Sequence, residues 1–340
     1  MLGFFSNIKY SKLIIKSDSA SWVLDEIKKE LELTFLNKLN IVNQKYIRFF
    51  KTQCIFFLNK YDLLNYNLKN NKIGISIFHF DKKQSNQNKK IINLLKSNIN
   101  IKAIQITNNN MFNYLIKNEI NRKKIFKIPI GINIKDFIFT KSKKKLEIKK
   151  KFKLEKFLVI GSFQKDGVGW GDGMVPKKIK GPDTFIKIVQ QIAKKQKVHV
   201  ILSGPSRGYV KKKLENLNIS FSHYFHKDYK KLINLYSLID IYIVSSRVEG
   251  GPRSILESMA SGAIIFSTRV GQAEEIIKDN KNGFLYDERE IKLISKKIIK
   301  IYNNSYQRNK ILQNARKTSL KYSYLKTRRK WISFFKAIRS

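Results

Sequence analysis

SSRVEGGPRSILESMASG, residues 245–262, joins a predicted strand to a predicted helix. The run before it, IDIYIVSS (239–246), is apolar on both faces, which is typical of a buried strand in a parallel sheet. In open α/β sheets, ligands bind where the carboxyl ends of strands meet the N-termini of helices. The stretch therefore predicts both the fold class and the place where a ligand would bind.

Two carboxylates flank a flexible turn within this stretch. Gly250 and Gly251 allow a ligand to approach the backbone, and Pro252 suits the first turn of a helix. The free N–H groups of that turn favour an anion. Glu257 leans back toward the helix N-terminus, and Glu249 reaches the same place from the loop. A sugar nucleotide offers hydroxyls and phosphate to such a site, whereas a capped helix with two solvated glutamates is the alternative that the spacing leaves open.

Length and composition fit two globular domains without disulfides. The 340 residues are 42% hydrophobic, enough to fill two cores, and Cys54 is the single cysteine. The apolar runs are far shorter than the roughly 20 residues that span a bilayer, and lysines interrupt the N-terminal one. We therefore expect a cytoplasmic protein, with peripheral contact to the inner face of the membrane as a second expectation.

The net charge of +44 has three possible explanations. Lysine is enriched throughout the chain, as an AT-rich coding sequence would produce. Anionic lipid headgroups or phosphorylated substrates would also suit such a charge. Nucleic acid is not expected, because no recognisable binding module accompanies the charge.

Short β-branched and aromatic runs alternate with helical patterns along the whole chain, which predicts parallel α/β domains. The lysine-dense stretch 140–156 reads as a solvated linker with a short helix. We expect a first domain over 1–145, a second over 146–320 and a C-terminal helix over 321–340. The predicted strands are 12–17, 54–59, 73–80, 101–108, 125–130, 157–163, 198–204, 239–246, 263–268 and 283–287.

Three further strand ends carry candidate ligand contacts. A glycine-rich loop after Gly161 leads to Lys180. Gly204 lies where the predicted strand 198–204 passes into a loop, and His79 lies at the end of the predicted strand 73–80. Backbone N–H groups and lysine can receive phosphate in such loops, although neither a Walker A loop nor G-x-G-x-x-G is present. A plain surface loop, a plain turn and a structural histidine are the respective alternatives. No Asp-x-Asp pair or His/carboxylate cluster predicts a metal site.

The motifs together resemble a known family. The glutamate pair of the opening stretch and the following FSTRVGQAEEIIKDNKNGFLYD (266–287) resemble the donor-binding half of family-four glycosyltransferases, which have the GT-B fold. KIFKIPIGINIKDF (124–137) is similar to the closing strand of their N-terminal domain. YSYLKTRRKWISFF (322–335) is similar to their C-terminal helix.

The resemblance implies an α/β fold with two Rossmann-like domains facing an interdomain cleft and a C-terminal helix that crosses back. The N-terminal domain would be the acceptor side, and the C-terminal domain would bind the nucleotide sugar. The implied reaction is retaining, metal-independent transfer of a hexosyl group to a glycan or lipid-linked acceptor, in cell-surface polysaccharide or lipopolysaccharide synthesis. No cofactor is expected beyond the nucleotide-sugar co-substrate.

The resemblance also implies roles for individual residues. Glu249 would contact the donor sugar, Lys180 would neutralise the leaving diphosphate, and His79 would face the sugar; these are the expected catalytic residues. Ser162 stands where the family has an arginine, so that Lys165 or Arg253 would supply the charge. The expected donor-binding residues are Gly161, Lys165, Gly204, Gly250, Gly251, Pro252, Arg253, Ser254 and Glu257, the last holding the ribose.

Two rival functions and one open question remain at this stage. A non-hydrolysing sugar-nucleotide epimerase shares the fold, and a basic nucleic-acid-binding protein would exploit the charge. The tail 326–340 is aromatic and basic. Its Trp331, Phe334 and Phe335 either dip into an anionic leaflet or pack against the N-terminal domain, and packing is the favoured expectation.

Overall fold

The structure is a computed structural model, which describes residues 13–17, 23–39, 53–81, 84–226 and 228–340. The first residue of the predicted strand at 12–17 lies outside the described residues. The sequence SWVLDEIKKELEL (21–33) also predicts an amphipathic helix, and its first two residues lie outside the described residues.

The first half of the chain forms a five-stranded parallel sheet with strand order β1-β2-β3-β4-β5. Its core consists largely of isoleucine and phenylalanine side chains from these strands, because a parallel sheet covered on both faces requires apolar residues on both. The strands are β1 Leu13–Lys16, β2 Gln53–Phe57, β3 Asn71–Ile77, β4 Ile101–Ile106 and β5 Ile125–Lys127.

The second half forms a six-stranded parallel sheet with order β11-β10-β9-β6-β7-β8. The order reverses at β6, between β9 and β7, which is the kind of position where open α/β sheets bind ligands. The strands are β6 Leu158–Phe163, β7 Val198–Ser203, β8 Ser220–Tyr224, β9 Ile241–Val244, β10 Ile264–Thr268 and β11 Phe284–Tyr286.

Helices connect the strands and form the C-terminal segment. They are α1 Val23–Leu39, α2 Asp62–Asn65, α3 Ser85–Ser97, α4 Asn109–Lys117, α5 Ser142–Lys151, α6 Pro182–Ala193, α7 Gly208–Asn216, α8 Tyr229–Leu235, α9 Arg253–Ser261, α10 Ala273–Ile276, α11 Ile291–Asn303, α12 Ser305–Lys321 and α13 Tyr324–Arg339. No helix among the described residues is both long and apolar enough to cross a membrane.

Each predicted strand corresponds to a strand of the structure, and β8 is the described strand that the prediction missed. β8 has the sequence SFSHY, and its side chains are exposed or half-buried. It lies at the edge of its sheet, where one neighbour and partial exposure allow polar residues. Its sequence therefore lacks the apolar run that marks the central strands.

The chain divides into two compact units whose boundaries differ from the predicted ones. The first unit contains the described residues up to Pro129 together with Tyr324–Ser340, and the second contains Ile130–Ser323. The first boundary lies before the lysine-dense stretch, because residues 130–145 are bonded to the second unit. Arg316 donates to the carbonyls of Phe137 and Ala260 at 3.0 and 2.8 Å.

The short helix predicted within 140–156 is present as α5, and four of its six lysines are exposed, but Lys145 and Lys149 are buried. Lys145 is buried and donates hydrogen bonds from Nζ to the carbonyls of Ile239 and Gly262. Lys149 pairs with Asp240 at 2.8 Å, and both side chains are almost fully buried. These two lysines lie on one face of α5 and satisfy carbonyls and a carboxylate of the second unit, as buried charges require.

We expect Lys145 to make the free energy of unfolding vary with pH in the alkaline range. Burial lowers the pKa of Lys145 to about 8, below its value in the unfolded chain. Below pH 8 both states are protonated and the burial penalty is fully present, whereas between pH 8 and 10.5 only the folded state loses its proton. The free energy of unfolding of the wild type, relative to Lys145→Met, should therefore rise over this range by up to about 3 kcal/mol. Urea unfolding of both proteins at roughly pH 7 and pH 10 measures the change, and a difference that is independent of pH would contradict it.

The aromatic residues of the C-terminal tail are buried within the first unit. α13 packs on β2, β3 and β4, and Trp331, Phe334 and Phe335 are at most 2% exposed. All three rings contact Phe56. The expectation that they pack in the protein is confirmed, and they are not available to enter a bilayer.

Candidate active site

The carboxyl end of β9 leads into the stretch that opened the sequence analysis. Residues 245–252 follow β9, and Pro252 occupies the N-cap position of α9 with φ −60° and ψ 109°. α9 then runs over Arg253–Ser261 and is capped by Gly262, whose φ of 88° suits glycine. The predicted strand, turn and helix are therefore present.

Lys180 and Glu249 meet although they are far apart in the sequence. Lys180 Nζ forms an ion pair with Glu249 Oε1, and Ser246 Oγ donates to the same oxygen at 3.2 Å. The two charged side chains keep 21% and 16% of their surfaces exposed. A cation and a carboxylate are thus held together, still open to solvent, beside the N-terminus of α9.

The turn that carries Lys180 is fixed against the end of β9. It is a 3-10 turn over Lys178–Lys180, and it ends at Gly181, which has φ 60°. A Cβ on Gly181 would lie 1.9 Å from the carbonyl oxygen of Ser245, so only glycine fits. The backbone N–H of Arg247 also donates to the carbonyl of Ile179 at 2.8 Å. These contacts set the position of Lys180.

Arg247 is a structural residue of the site that sequence reasoning missed. It donates to Asp183 at 2.8 and 2.9 Å and pairs with Glu288 at 2.6 Å. Its hydrogen bonds lower the pKa of Asp183. Arg247 thereby ties the loop after β9 to the first turn of α6. Only its position two residues before Glu249 could have indicated this.

Glu257 is buried, 5% exposed, and held by three side chains. Tyr229 donates to Oε1 and Tyr236 donates to Oε2 at 2.7 Å. Arg253 Nε lies 3.2 Å from Oε1, and its guanidinium lies 4.8 Å from the centre of the Tyr229 ring. Burial, together with the Glu257 carboxylate, raises the pKa of Tyr236 well above its usual value. The carboxylate therefore has a rigid position, and sequence reasoning did not foresee its tyrosine partners.

The glycine turn between the two glutamates packs against the loop after β10. The carbonyl of Gly250 accepts a hydrogen bond from the backbone of Gln272 at 3.2 Å. A Cβ on Gly251 would lie 2.7 Å from the Gln272 side chain. Ser254, in the first turn of α9, hydrogen-bonds to Tyr242. The glycines thus permit a close contact within the protein, beside the first turn of α9.

The other predicted donor-binding residues have well-defined structural partners. Gly161 lies within β6, where a Cβ would come 2.3 Å from the Ile239 side chain. Gly204 has φ 110°, and its carbonyl contacts His223 Nε2 at 2.8 Å. Lys165 Nζ lies 3.5 Å from the centre of the Trp170 ring. These contacts are with Ile239, His223 and Trp170 rather than with Lys180, Glu249 or Glu257.

The guanidinium that contacts Ser162 belongs to Arg207. It donates to the carbonyls of Ser162 and Ser203 at 2.6 and 2.9 Å, and its Nε lies 3.0 Å from Asp166 Oδ1. Arg207 and Asp166 are both completely buried. Lys165 and Arg253, which the sequence suggested for this charge, contact Trp170 and Glu257 instead.

His79 lies in the first unit, two residues after β3, and is half-buried. It follows the carboxyl end of a parallel strand, as predicted. Within the described residues, no group of three or more His, Cys, Asp or Glu side chains is arranged to hold a metal ion.

A family model described as "Glycosyl transferases group 1" matches residues 174–318. This range contains Lys180 and both glutamates of the opening stretch. Residues 174–318 therefore resemble a group 1 glycosyltransferase domain. The match does not include Gly161, Lys165 or His79, so the roles expected for these residues are supported only by the resemblance of individual motifs.

Similar proteins include two with curated names. The poly(ribitol-phosphate) alpha-N-acetylglucosaminyltransferase of Staphylococcus aureus is 27% identical over 212 residues, which are 56% of this chain and 42% of that protein. The uncharacterized glycosyltransferase MJ1178 of Methanocaldococcus jannaschii is 29% identical over 152 residues, 43% of this chain and 42% of that protein. The chain thus matches less than half the length of these relatives.

Solved structures show that the fold extends over both units of the chain. Alr3699/HepE of Anabaena, in complex with UDP and glucose, has a TM-score of 0.77 at 14% identity and covers 96% of this chain and 100% of that chain. A glycosyltransferase of Rickettsia africae has a TM-score of 0.70 at 17% identity, covering 98% and 99%. The chain has the GT-B fold, with two parallel-sheet Rossmann-like domains, and the residues that match the family model lie in the second unit.

Proposed function

We propose that the protein is a glycosyltransferase that moves a sugar from a nucleoside-diphosphate donor to a glycan or lipid-linked acceptor, with retention and without a metal ion. The observation that carries this proposal is the ion pair of Lys180 and Glu249 beside the N-terminus of α9. The family match of residues 174–318 and the names of the similar proteins support it. We keep Glu249, Lys180 and His79 as the proposed catalytic residues.

The ion pair suits a donor because it can exchange partners. Without ligand, Glu249 offsets the charge of Lys180. A donor diphosphate placed at Lys180 and at the first-turn N–H groups of α9 would compete for the ammonium group. Glu249 would then accept hydrogen bonds from hydroxyls of the donor sugar. One site thus binds phosphate and sugar with two adjacent side chains.

Glu257 suits the ribose of the donor. An ionised carboxylate has about four lone-pair positions, and the tyrosines and Arg253 use part of them. The remainder can accept ribose hydroxyls. Because the carboxylate is already fixed, binding would cost little ordering of this side chain.

The proposed chemistry breaks the bond between the sugar anomeric carbon and the leaving phosphate oxygen, and it forms a bond from that carbon to an acceptor hydroxyl oxygen. The proton of the hydroxyl passes to the leaving phosphate on the same face of the sugar. Lys180 stabilises the negative charge that develops on the phosphate, which is the largest demand of the transition state. Front-face attack of this kind retains the anomeric configuration.

A donor panel tests the proposed function. The purified protein is incubated with nucleotide sugars, starting with UDP-sugars because the Anabaena structure holds UDP and glucose. We expect release of nucleoside diphosphate that accelerates when a glycan or lipid-linked acceptor is added. An isomerised donor without release would identify an epimerase and overturn the proposal.

The same assay tests the proposed independence from metal. Activity is expected to persist in excess EDTA, because lysine charge at the proposed diphosphate site takes the place of a divalent ion. Loss of activity in EDTA and its recovery with Mg²⁺ or Mn²⁺ would contradict this part of the proposal alone.

A further inference from the structure

The loop between β6 and the Lys180 turn exposes four apolar side chains. Val168, Trp170, Met174 and Val175 are 54–64% exposed. We call residues 166–177 the apolar loop. Exposed apolar groups that cluster on one loop are a feature of interaction surfaces, whereas scattered ones need no explanation.

The apolar loop is held in shape by backbone hydrogen bonds. Within the loop, Val168 N–H donates to Val175 at 2.9 Å and Lys177 N–H donates to Asp166 at 2.7 Å. Two N–H groups at the start of α7, from Gly208 and Tyr209, donate to loop carbonyls at 2.6 and 3.0 Å. The exposed side chains are therefore presented by an ordered backbone that is fixed to α7.

Lysines lie next to the apolar loop in the chain and on the helix that it contacts. Lys165 stacks on Trp170, Lys178 is exposed just after the loop, and Lys212 and Lys213 are exposed on α7, which the loop contacts. Asp166 does not reduce this surface charge, because it is buried against Arg207, which leaves Asp172 as the exposed acid of the loop. The surface thus combines an apolar tip with a predominantly cationic rim.

We propose that the apolar loop is a docking surface for an anionic lipid bilayer. Trp170 and its three apolar neighbours would enter the boundary between headgroups and acyl chains, and the lysines would contact acidic headgroups. Tryptophan favours this boundary because its ring is apolar and its N–H is polar. Docking is independent of the proposed glycosyl transfer, since it needs neither donor nor acceptor.

The lysines beside the apolar loop make a second copy of the chain an unfavourable partner for this surface. Two copies that met through their apolar loops would bring like-charged lysine rims together, which is unfavourable. An anionic bilayer instead offers an extended surface of opposite charge and an apolar interior. The buried aromatic residues of α13 cannot take this role.

Vesicle sedimentation of the full chain tests the proposal. Wild type is expected to bind phosphatidylglycerol vesicles and to bind phosphatidylcholine vesicles much less, with binding that falls as salt is raised. Trp170→Ser/Met174→Ser should lower binding at least about tenfold. Lys212→Glu/Lys213→Glu should also lower it. The matched controls alter exposed residues of α11 and α12: Leu293→Ser/Tyr306→Ser for the apolar change and Lys296→Glu/Lys300→Glu for the charge change.

Fluorescence quenching locates the contact. Trp22 is first replaced by Phe, because it lies outside the described residues. In that background brominated lipids should quench the emission, and a further Trp170→Phe change should lose that quenching, because Trp331 is buried. Unchanged binding in both loop variants, or losses as large in the controls, would overturn the proposal. Equal binding to neutral and anionic vesicles would also overturn it. A wild type that does not bind vesicles but forms an oligomer that Trp170→Ser/Met174→Ser abolishes would identify a self-association surface instead.

Discussion

Replacement of Lys180 by alanine is expected to lower turnover by a factor on the order of 10²–10³. Its ammonium group is the cation fixed beside the N-terminus of α9, where the proposed leaving phosphate gains charge. Binding of free nucleoside diphosphate should weaken as well, because the same ammonium group would contact the diphosphate before reaction. Steady-state kinetics and calorimetric titration with UDP measure the two effects.

Lys178→Ala is the matched control for this variant. Lys178 lies in the same 3-10 turn, its side chain is exposed, and its backbone carbonyl would remain available to Arg247. The control should turn over like wild type. If both variants lose activity equally, the turn matters only as a structural element. If neither does, the proposed role of Lys180 is wrong.

Glu257→Gln is expected to lower the free energy of unfolding by about 3–5 kcal/mol. The change keeps the shape of the side chain but removes the carboxylate that Arg253 contacts in a site where both side chains are at most 6% exposed. The buried guanidinium then loses this ionic partner. Urea unfolding measures the loss, and titration with UDP at a temperature where the variant is folded should show weaker nucleotide binding.

Glu249→Gln separates the catalytic role from the structural one. Glu249 keeps more exposure, so the loss of its ion pair with Lys180 should change the unfolding free energy by no more than about 1 kcal/mol. Its turnover should fall while binding of UDP without a sugar stays nearly intact. If Glu257→Gln were as stable as wild type, the proposed contribution of the buried Arg253–Glu257 ion pair to stability would be wrong. Wild-type turnover and nucleotide binding in both variants would reduce the motif to a capped helix.

The order of secondary structure could be predicted because local patterns dictate it. Apolar runs such as IDIYIVSS mark central parallel strands by burial on both faces. The glycines and proline of 250–252 predicted the turn before α9, and the glutamate spacing predicted one carboxylate before the helix and one within it. The edge strand β8 was not predicted, because a strand at the edge of a sheet can carry polar, partly exposed residues and so lacks an apolar run.

Only the tertiary structure decided which side chains meet. The spacing of Glu249 and Glu257 gave no indication that Lys180 would pair with the first, or that two tyrosines of the preceding segment would hold the second. Arg207 donates a hydrogen bond to the carbonyl of Ser162, and the buried Lys145 of α5 donates to the carbonyl of Gly262. Periodicity reports which face of an element is apolar, whereas these contacts depend on how sheet order and register bring distant strand ends together. A buried charge must find a partner wherever the fold places one, and that partner has no fixed position in the sequence.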